Sequence, residues 1–244
     1  MHNVIVTGGS RGLGLGIARR LSGAAYRVIA IARKENCELT SAIEECERRN
    51  PGSFQFVPFD LGDIEGLADL VRRLRNNFGP VYGLVNNAGI SVDGALSLMH
   101  NSKIEQLLRV NTLSPIVLTK YVVRSMMADG GGRIVNMASI TAFTGFSGLS
   151  VYGASKASLV GFTRSLAREV GRLGVNVNAV APGFVDTDLT HGLTDEQREQ
   201  IVRRSALKRL AGVDDVAGAV EYLLSDNARN ITGTVLTVDA GSTA

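Results

Sequence analysis

Apolar runs of strand length alternate with longer segments of helical period along the whole chain. NVIVT is followed by GLGIARRLSGAA, RVIAIA by ELTSAIEECERR, and FQFVPFD by IEGLADLVRRLRNNF. The rhythm continues through YGLVNNA, a long segment around 103–128, RIVNMAS, a helix from about 151 to 171, VNVNAVAP and TVLTVDA. Strands such as VIVT and VIAIA are apolar at consecutive positions, so both faces need cover. That fits a parallel sheet with helices on each side and argues against a half-exposed antiparallel one. The pattern predicts an α/β fold: one doubly wound domain over 1–244 with a seven-stranded parallel sheet flanked by helices. No Pro/Ser-rich linker, repeat or low-complexity tract divides it. The least regular stretch begins GFVDTDLTHGLTDEQREQ and suggests a substrate lid near 183–205 or a short helical insertion.

Composition narrows the partners. Hydrophobic residues make up 45% and charged residues 20%, and 26 basic against 23 acidic residues leave a net charge of +3 without long runs. Trp is absent and no basic block interleaves with aromatics, so a nucleic-acid partner is not implied. The N-terminal residues run straight into VIVTGG without a basic region and a long apolar stretch, and the expectation is a cytoplasmic protein with no membrane anchor. Cys37 and Cys46 have the spacing of neither a zinc knuckle nor a redox pair and read as free thiols. His2, His100 and His191 are scattered, so no protein-built metal site is expected.

Residues 8–12, GGSRG, match the G-x-S-x-G pattern of a hydrolase nucleophile elbow. An elbow follows a central strand and an earlier oxyanion-hole loop, whereas only nine residues precede Ser10. The competing reading is a strand-to-helix turn in which glycines admit a pyrophosphate to the N–H groups of the helix start. Ser10 and Arg11 then donate to phosphate oxygens. Gly8, Gly12 and Gly14 give T-G-x-x-x-G-x-G rather than G-x-G-x-x-G, and a turn used for tight packing alone stays open.

VYGASKA places Tyr152 and Lys156 four apart, on one face of a helix. A nearby ammonium favours phenolate and would lower the Tyr pKa from ~10, making the phenol a proton donor near neutral pH. A surface pair of no consequence is the plain alternative.

Together with TGGSRGLG (7–14), NNAG (86–89), Ser139 in NMAS and APG (181–183), this pair resembles the short-chain dehydrogenase/reductases, in the family's motif order and over essentially the whole chain. The resemblance implies a Rossmann-type fold and a nicotinamide cofactor along the carboxyl ends of the strands. By position it implies that Tyr152 protonates the nascent alkoxide while Ser139 hydrogen-bonds the substrate carbonyl. Lys156 binds the nicotinamide ribose and tunes Tyr152, and Asn111 holds a water for the proton relay.

The resemblance also places cofactor contacts at Gly8, Gly9, Ser10, Arg11, Gly12, Leu13 and Gly14, at Asp60 and Leu61 near adenine, and at Asn87, Ala88 and Gly89 along the adenosine ribose. Pro182, Gly183, Val185 and Thr187 surround the nicotinamide carboxamide. An acid at the end of the second strand would hold the ribose 2′-hydroxyl and repel a 2′-phosphate. Here the residues are Ala32, Arg33 and Lys34, so NADPH is expected.

Within the family, SLAREVGRLGVNVNAVAPGFVDTDLT and ITGTVLTVDAG are most similar to 3-oxoacyl-[acyl-carrier-protein] reductases of fatty-acid-type biosynthesis. Other ketones or secondary alcohols, acetoacetyl-CoA, a sugar or a polyol, are the alternative, and a non-catalytic dinucleotide-binding regulator a further one. An acidic carrier protein favours basic residues beside the pocket. The turn MMADGGGR instead offers Asp129 where carrier-docking relatives carry cations, although Arg164, Arg168 and Arg172 form a stripe. A homotetramer is a further implication of the resemblance.

Overall fold

The computed structural model describes residues 1–49, 52–185 and 194–244. Among them, β1 (Asn3–Thr7), β2 (Arg27–Ala32), β3 (Ser53–Pro58), β4 (Val81–Asn86), β5 (Gly132–Met137), β6 (Val175–Pro182) and β7 (Val235–Val238) form one sheet in the order β3-β2-β1-β4-β5-β6-β7. Every pairing is parallel. The helices are α1 (Gly12–Gly23), α2 (Cys37–Arg49), α3 (Leu67–Phe78), α4 (Asn101–Leu108), α5 (Ser114–Ala128), α6 (Ser150–Val170), α7 (Asp195–Arg204) and α8 (Val213–Leu224).

The consecutive apolar residues of the strands divide between two cores. Val4, Val6, Val28 and Ala30 pack beneath α1, α2 and α8, whereas Ile5, Ile29 and Ile31 pack beneath α3, α5 and α6. Side chains of a strand alternate between its faces, so a run without polar interruptions satisfies both layers. β1 is buried at all five positions, as the middle of such a sheet requires.

Three boundaries differ from the periodicity. The helix expected from Ile64 starts at Leu67, because the backbone N–H of Gly62 donates to Asp60 and that of Gly66 to Asp63, and these side-chain turns occupy DLGDIEG. The long segment around 103–128 is not one α-helix: a π-turn at Arg109–Leu113 joins α4 to α5. α8, absent from the sequence reading, covers α1 and is capped by Asp215, which accepts the Gly212 N–H at 2.8 Å. α7, begun by a capping box of Thr194 and Gln197, is a short helix in the second half of the stretch read as a lid or a helical insertion. Residues 186–193 of that stretch lie outside the described residues.

The strand order has one reversal. From β1 the chain builds outward through β2 and β3, then returns to lay β4 on the other side of β1. The crevice outside the carboxyl ends of β1 and β4 is where such sheets take ligands.

Candidate active site

Thr7, the last residue of β1, closes the base of this crevice. Its hydroxyl donates to the Val85 carbonyl and accepts the backbone N–H groups of Asn87 and Ala88 at 2.9 and 3.0 Å. The Asn87 side chain donates back to the Thr7 carbonyl at 2.9 Å. The glycine-rich turn is thereby tied to the NNAG segment, a role for Thr7 that the sequence reading missed. The Thr directly before Gly8 was the available signal.

The turn itself fits a pyrophosphate. Gly8 has φ +67° and Gly12 φ +52°, conformations that a side chain disfavours. A Cβ on Gly14 would lie 2.1 Å from the Gly8 carbonyl oxygen, so the helix can approach the turn this closely only without one. The space where a Gly12 side chain would start is open to 4 Å, and no side chain caps the N-terminus of α1. Those unsatisfied N–H groups are what an anion would meet. Gly9 is buried, Ser10 and Leu13 are half-buried, and Arg11 is exposed in extended conformation at the helix start. Ser10 thus stands in a turn shaped for an anion.

At the adenosine end, β2 finishes at Ala32, and Arg33 and Lys34 are exposed, with no ion-pair partner among the described residues. Asp60 is exposed and uses one carboxylate oxygen for the Gly62 N–H, seven residues before α3 begins. Leu61 is buried in the core beneath α3, which leaves its backbone for a ligand. Pro182 ends β6, and Gly183 is pressed so closely to the C-terminal turn that a Cβ there would lie 2.7 Å from that of Asp239. Val185 is buried, and Thr187 lies outside the described residues.

The four proposed catalytic residues come from three places in the chain, the turn at Arg109–Leu113, the residue pair after β5, and α6, and meet beyond β4 and β5. Ser139 follows β5 in extended conformation, with its Oγ accepting the Thr141 N–H at 3.2 Å. Tyr152 and Lys156 stand one turn apart on α6, and the Lys156 Nζ lies 5.7 Å from the centre of the Tyr152 ring. Nζ donates to the Met137 carbonyl at 2.8 Å, at the end of β5. Beside Gly89, the positions of Asn111 Oδ1 and Lys156 Nζ are 3.4 and 3.5 Å from where a side chain would begin.

Asn111 sits inside the π-turn, and Pro115 gives a reason for the irregularity. An α-helix would have the residue-115 N–H donate to the Asn111 carbonyl, and proline has no N–H to give. The Asn111 side chain is buried and pairs with the Ile90 backbone twice, accepting its N–H and donating to its carbonyl, both at 2.8 Å. Deeper in the sheet, Asn86 donates to Thr119 and Asn136, and Asn136 to Thr163, binding β4 and β5 through buried amides.

The electrostatics correct one expectation. Burial pushes the Tyr152 phenol up to about 12, with Asp93 adding to the rise and a hydrogen bond with Ser139 opposing it. Burial also pushes the Lys156 ammonium down to about 8. Burial thus governs the phenol in the protein without cofactor, where the Lys156 ammonium donates to the Met137 carbonyl. Tyr152 instead holds its proton throughout the neutral range, which suits an acid.

Asp129 is engaged by both terminal nitrogens of Arg75, at the end of α3, and the guanidinium holds its carboxyl below the usual range. Arg164, Arg168 and Arg172 are exposed. Cys37 is exposed and Cys46 buried, both as free thiols.

A family model described as enoyl-(acyl carrier protein) reductase matches residues 8–243. The 3-oxoacyl-[acyl-carrier-protein] reductase FabG of Escherichia coli is 40% identical over 237 residues, covering 97% of this chain and 95% of that protein. Carbonyl reductase family member 4 of Xenopus tropicalis is 38% identical over 236 residues, with the same coverage. Among solved structures, a double mutant of a Serratia marcescens short-chain dehydrogenase/reductase is 31% identical with a TM-score of 0.93, covering 100% of this chain and 98% of that one. A gluconate 5-dehydrogenase from Burkholderia cenocepacia in complex with NADP and tartrate is 27% identical with a TM-score of 0.92, covering 99% and 95%. With a seven-stranded parallel sheet, a glycine turn open to a pyrophosphate and a Ser–Tyr–Lys cluster at its carboxyl edge, the chain belongs to the short-chain dehydrogenase/reductase family.

Proposed function

We propose that this oxidoreductase reduces a 3-oxoacyl thioester to the 3-hydroxyacyl form with NADPH, on an acyl carrier protein in fatty-acid-type synthesis. The likeness to the E. coli reductase over nearly the whole length of both chains carries this reading. NADPH when bound supplies the hydride. Ser139 donates to the substrate carbonyl and orients it, and Tyr152 gives its phenolic proton to the oxygen as negative charge develops there. Lys156 holds the nicotinamide ribose, and its ammonium stabilises the phenolate left behind. Asn111 fixes the water through which that proton is replaced.

The turn residues Gly8 to Gly14 hold the pyrophosphate, Arg11 and Arg33 meet the 2′-phosphate, Asp60 and Leu61 border adenine, and Asn87 to Gly89 follow the ribose. Pro182, Gly183, Val185 and Thr187 take the carboxamide end. A cytoplasmic homotetramer is part of the same reading.

A second reading, reduction of a free ketone or oxidation of a polyol, is favoured by the pairing of Asp129 with Arg75 in the turn where a carrier would look for cations. NADPH oxidation measured side by side with acetoacetyl-carrier protein, acetoacetyl-CoA and simple ketones separates the two. The carrier-bound substrate is expected to give the highest kcat/KM, and a free ketone surpassing both thioesters would overturn the proposal. Replacing NADPH by NADH is expected to lower kcat/KM at least tenfold, about the effect of one lost charge-assisted contact.

A further inference from the structure

We propose that Ser155 is a positioning residue for proton transfer, holding Asn111 against the helix that carries Tyr152 and Lys156. The inference rests on the catalytic reading of Asn111 given above. Ser155 is fully buried on α6, between the two catalytic side chains in sequence. Its Oγ donates to the Tyr152 carbonyl at 2.7 Å and accepts from the Asn111 Nδ2 at 3.2 Å.

The first bond is ordinary, because a serine inside a helix commonly satisfies its hydroxyl on the carbonyl one turn back. The second is not local: it joins residues 44 apart in sequence, from the π-turn to α6. With it, both N–H groups of the Asn111 amide are engaged, one by Ile90 and one by Ser155, while Oδ1 accepts from Ile90. The side chain is thus fixed from the loop after β4 and from α6 at once. Ser155 thereby couples the Asn111 side chain to the frame of Tyr152. An alanine at 155 would keep α6 intact, alanine being the better helix former, and would free the amide to rotate about its remaining Ile90 contacts.

The test compares wild type, Ser155→Ala, Asn111→Ala and the double variant as full-length enzymes with the ketone that wild type reduces fastest. Melting temperature and NADPH affinity are followed alongside. Ser155→Ala is expected to lower kcat about fivefold to tenfold, the range for a lost hydrogen bond that aligns a transition state, with KM and NADPH affinity within about twofold of wild type. In the Asn111→Ala background it should lower kcat no further. Unchanged kcat in Ser155→Ala, or the same proportional loss in both backgrounds, would overturn the inference while leaving the reading of Asn111 standing. Wild-type kcat in Asn111→Ala would overturn that reading, and the inference with it. If Asn111→Ala does not fold, Ser155→Thr decides: restoration to at least about half of wild-type kcat supports a role for the hydroxyl, and an alanine-like rate overturns it.

Discussion

At the residue scale, the site is governed by what burial does to two ionisable groups. The Lys156 ammonium falls from 10.5 to about 8 on folding, so between those values the unfolded chain binds more protons than the native one. Unfolding free energy then rises with pH over that interval. Tyr152 acts oppositely and higher: native phenol holds its proton to about 12, so its contribution falls as pH climbs past 10. Relative to Lys156→Met, which lacks the first titration, wild type is expected to gain about two orders of magnitude in folded-to-unfolded ratio from pH 7 to 10, read by urea unfolding at each pH. A constant difference would show that Lys156 does not bear this burial cost. Tyr152→Phe removes the proton donor without changing the ring and is expected to lower kcat by about a thousandfold while NADPH binds as before. Titration by cofactor fluorescence and single-turnover reduction check the two halves. Tyr152 and Lys156 were legible as candidates from their spacing taken together with the other motifs, but the direction of their pKa shifts was not, because desolvation depends on what closes over them.

At the element scale, the site depends on where helices depart from regularity. Pro115 lies inside the continuous helical run from Asn101 to Ala128, and the π-turn just before it presents Asn111. Pro115→Ala returns an N–H to the partner position of the Asn111 carbonyl. It is expected to raise the melting temperature by a few degrees, as a better helix former replaces an interior proline, and to lower kcat about tenfold. A variant that is more stable and fully active would separate the proline from catalysis. The long segment around 103–128 reads as one helix in its apolar spacing, because a single added residue per turn barely alters that spacing. The proline in RVNTLSP was the visible sign. α8 escaped the reading for another reason: VDDVAGAVEYLL buries its apolar side on α1, and that partner is distant in sequence.

At the scale of the whole molecule, charge separates the two substrate readings. A carrier protein is held through an extended acidic surface, so its kcat/KM should fall several-fold from about 50 to 300 mM salt, while that of a small ketone should stay nearly constant. Equal salt dependence for both would argue against docking through charge, in keeping with the tie between Asp129 and Arg75. The sequence by itself determined the layered α/β fold, since only a sheet covered on both faces accommodates consecutive apolar strands. It also singled out the candidate catalytic side chains and placed Ala32 rather than an acid at the end of β2, because these are chemical properties of residues in a recognisable order. Tertiary structure alone decided that Thr7 locks the glycine turn to NNAG, that Lys156 spends a proton on the Met137 carbonyl, and that Ser155 meets Asn111. Each is a contact between residues from different elements, and chain periodicity records which face a residue takes but not what stands opposite it.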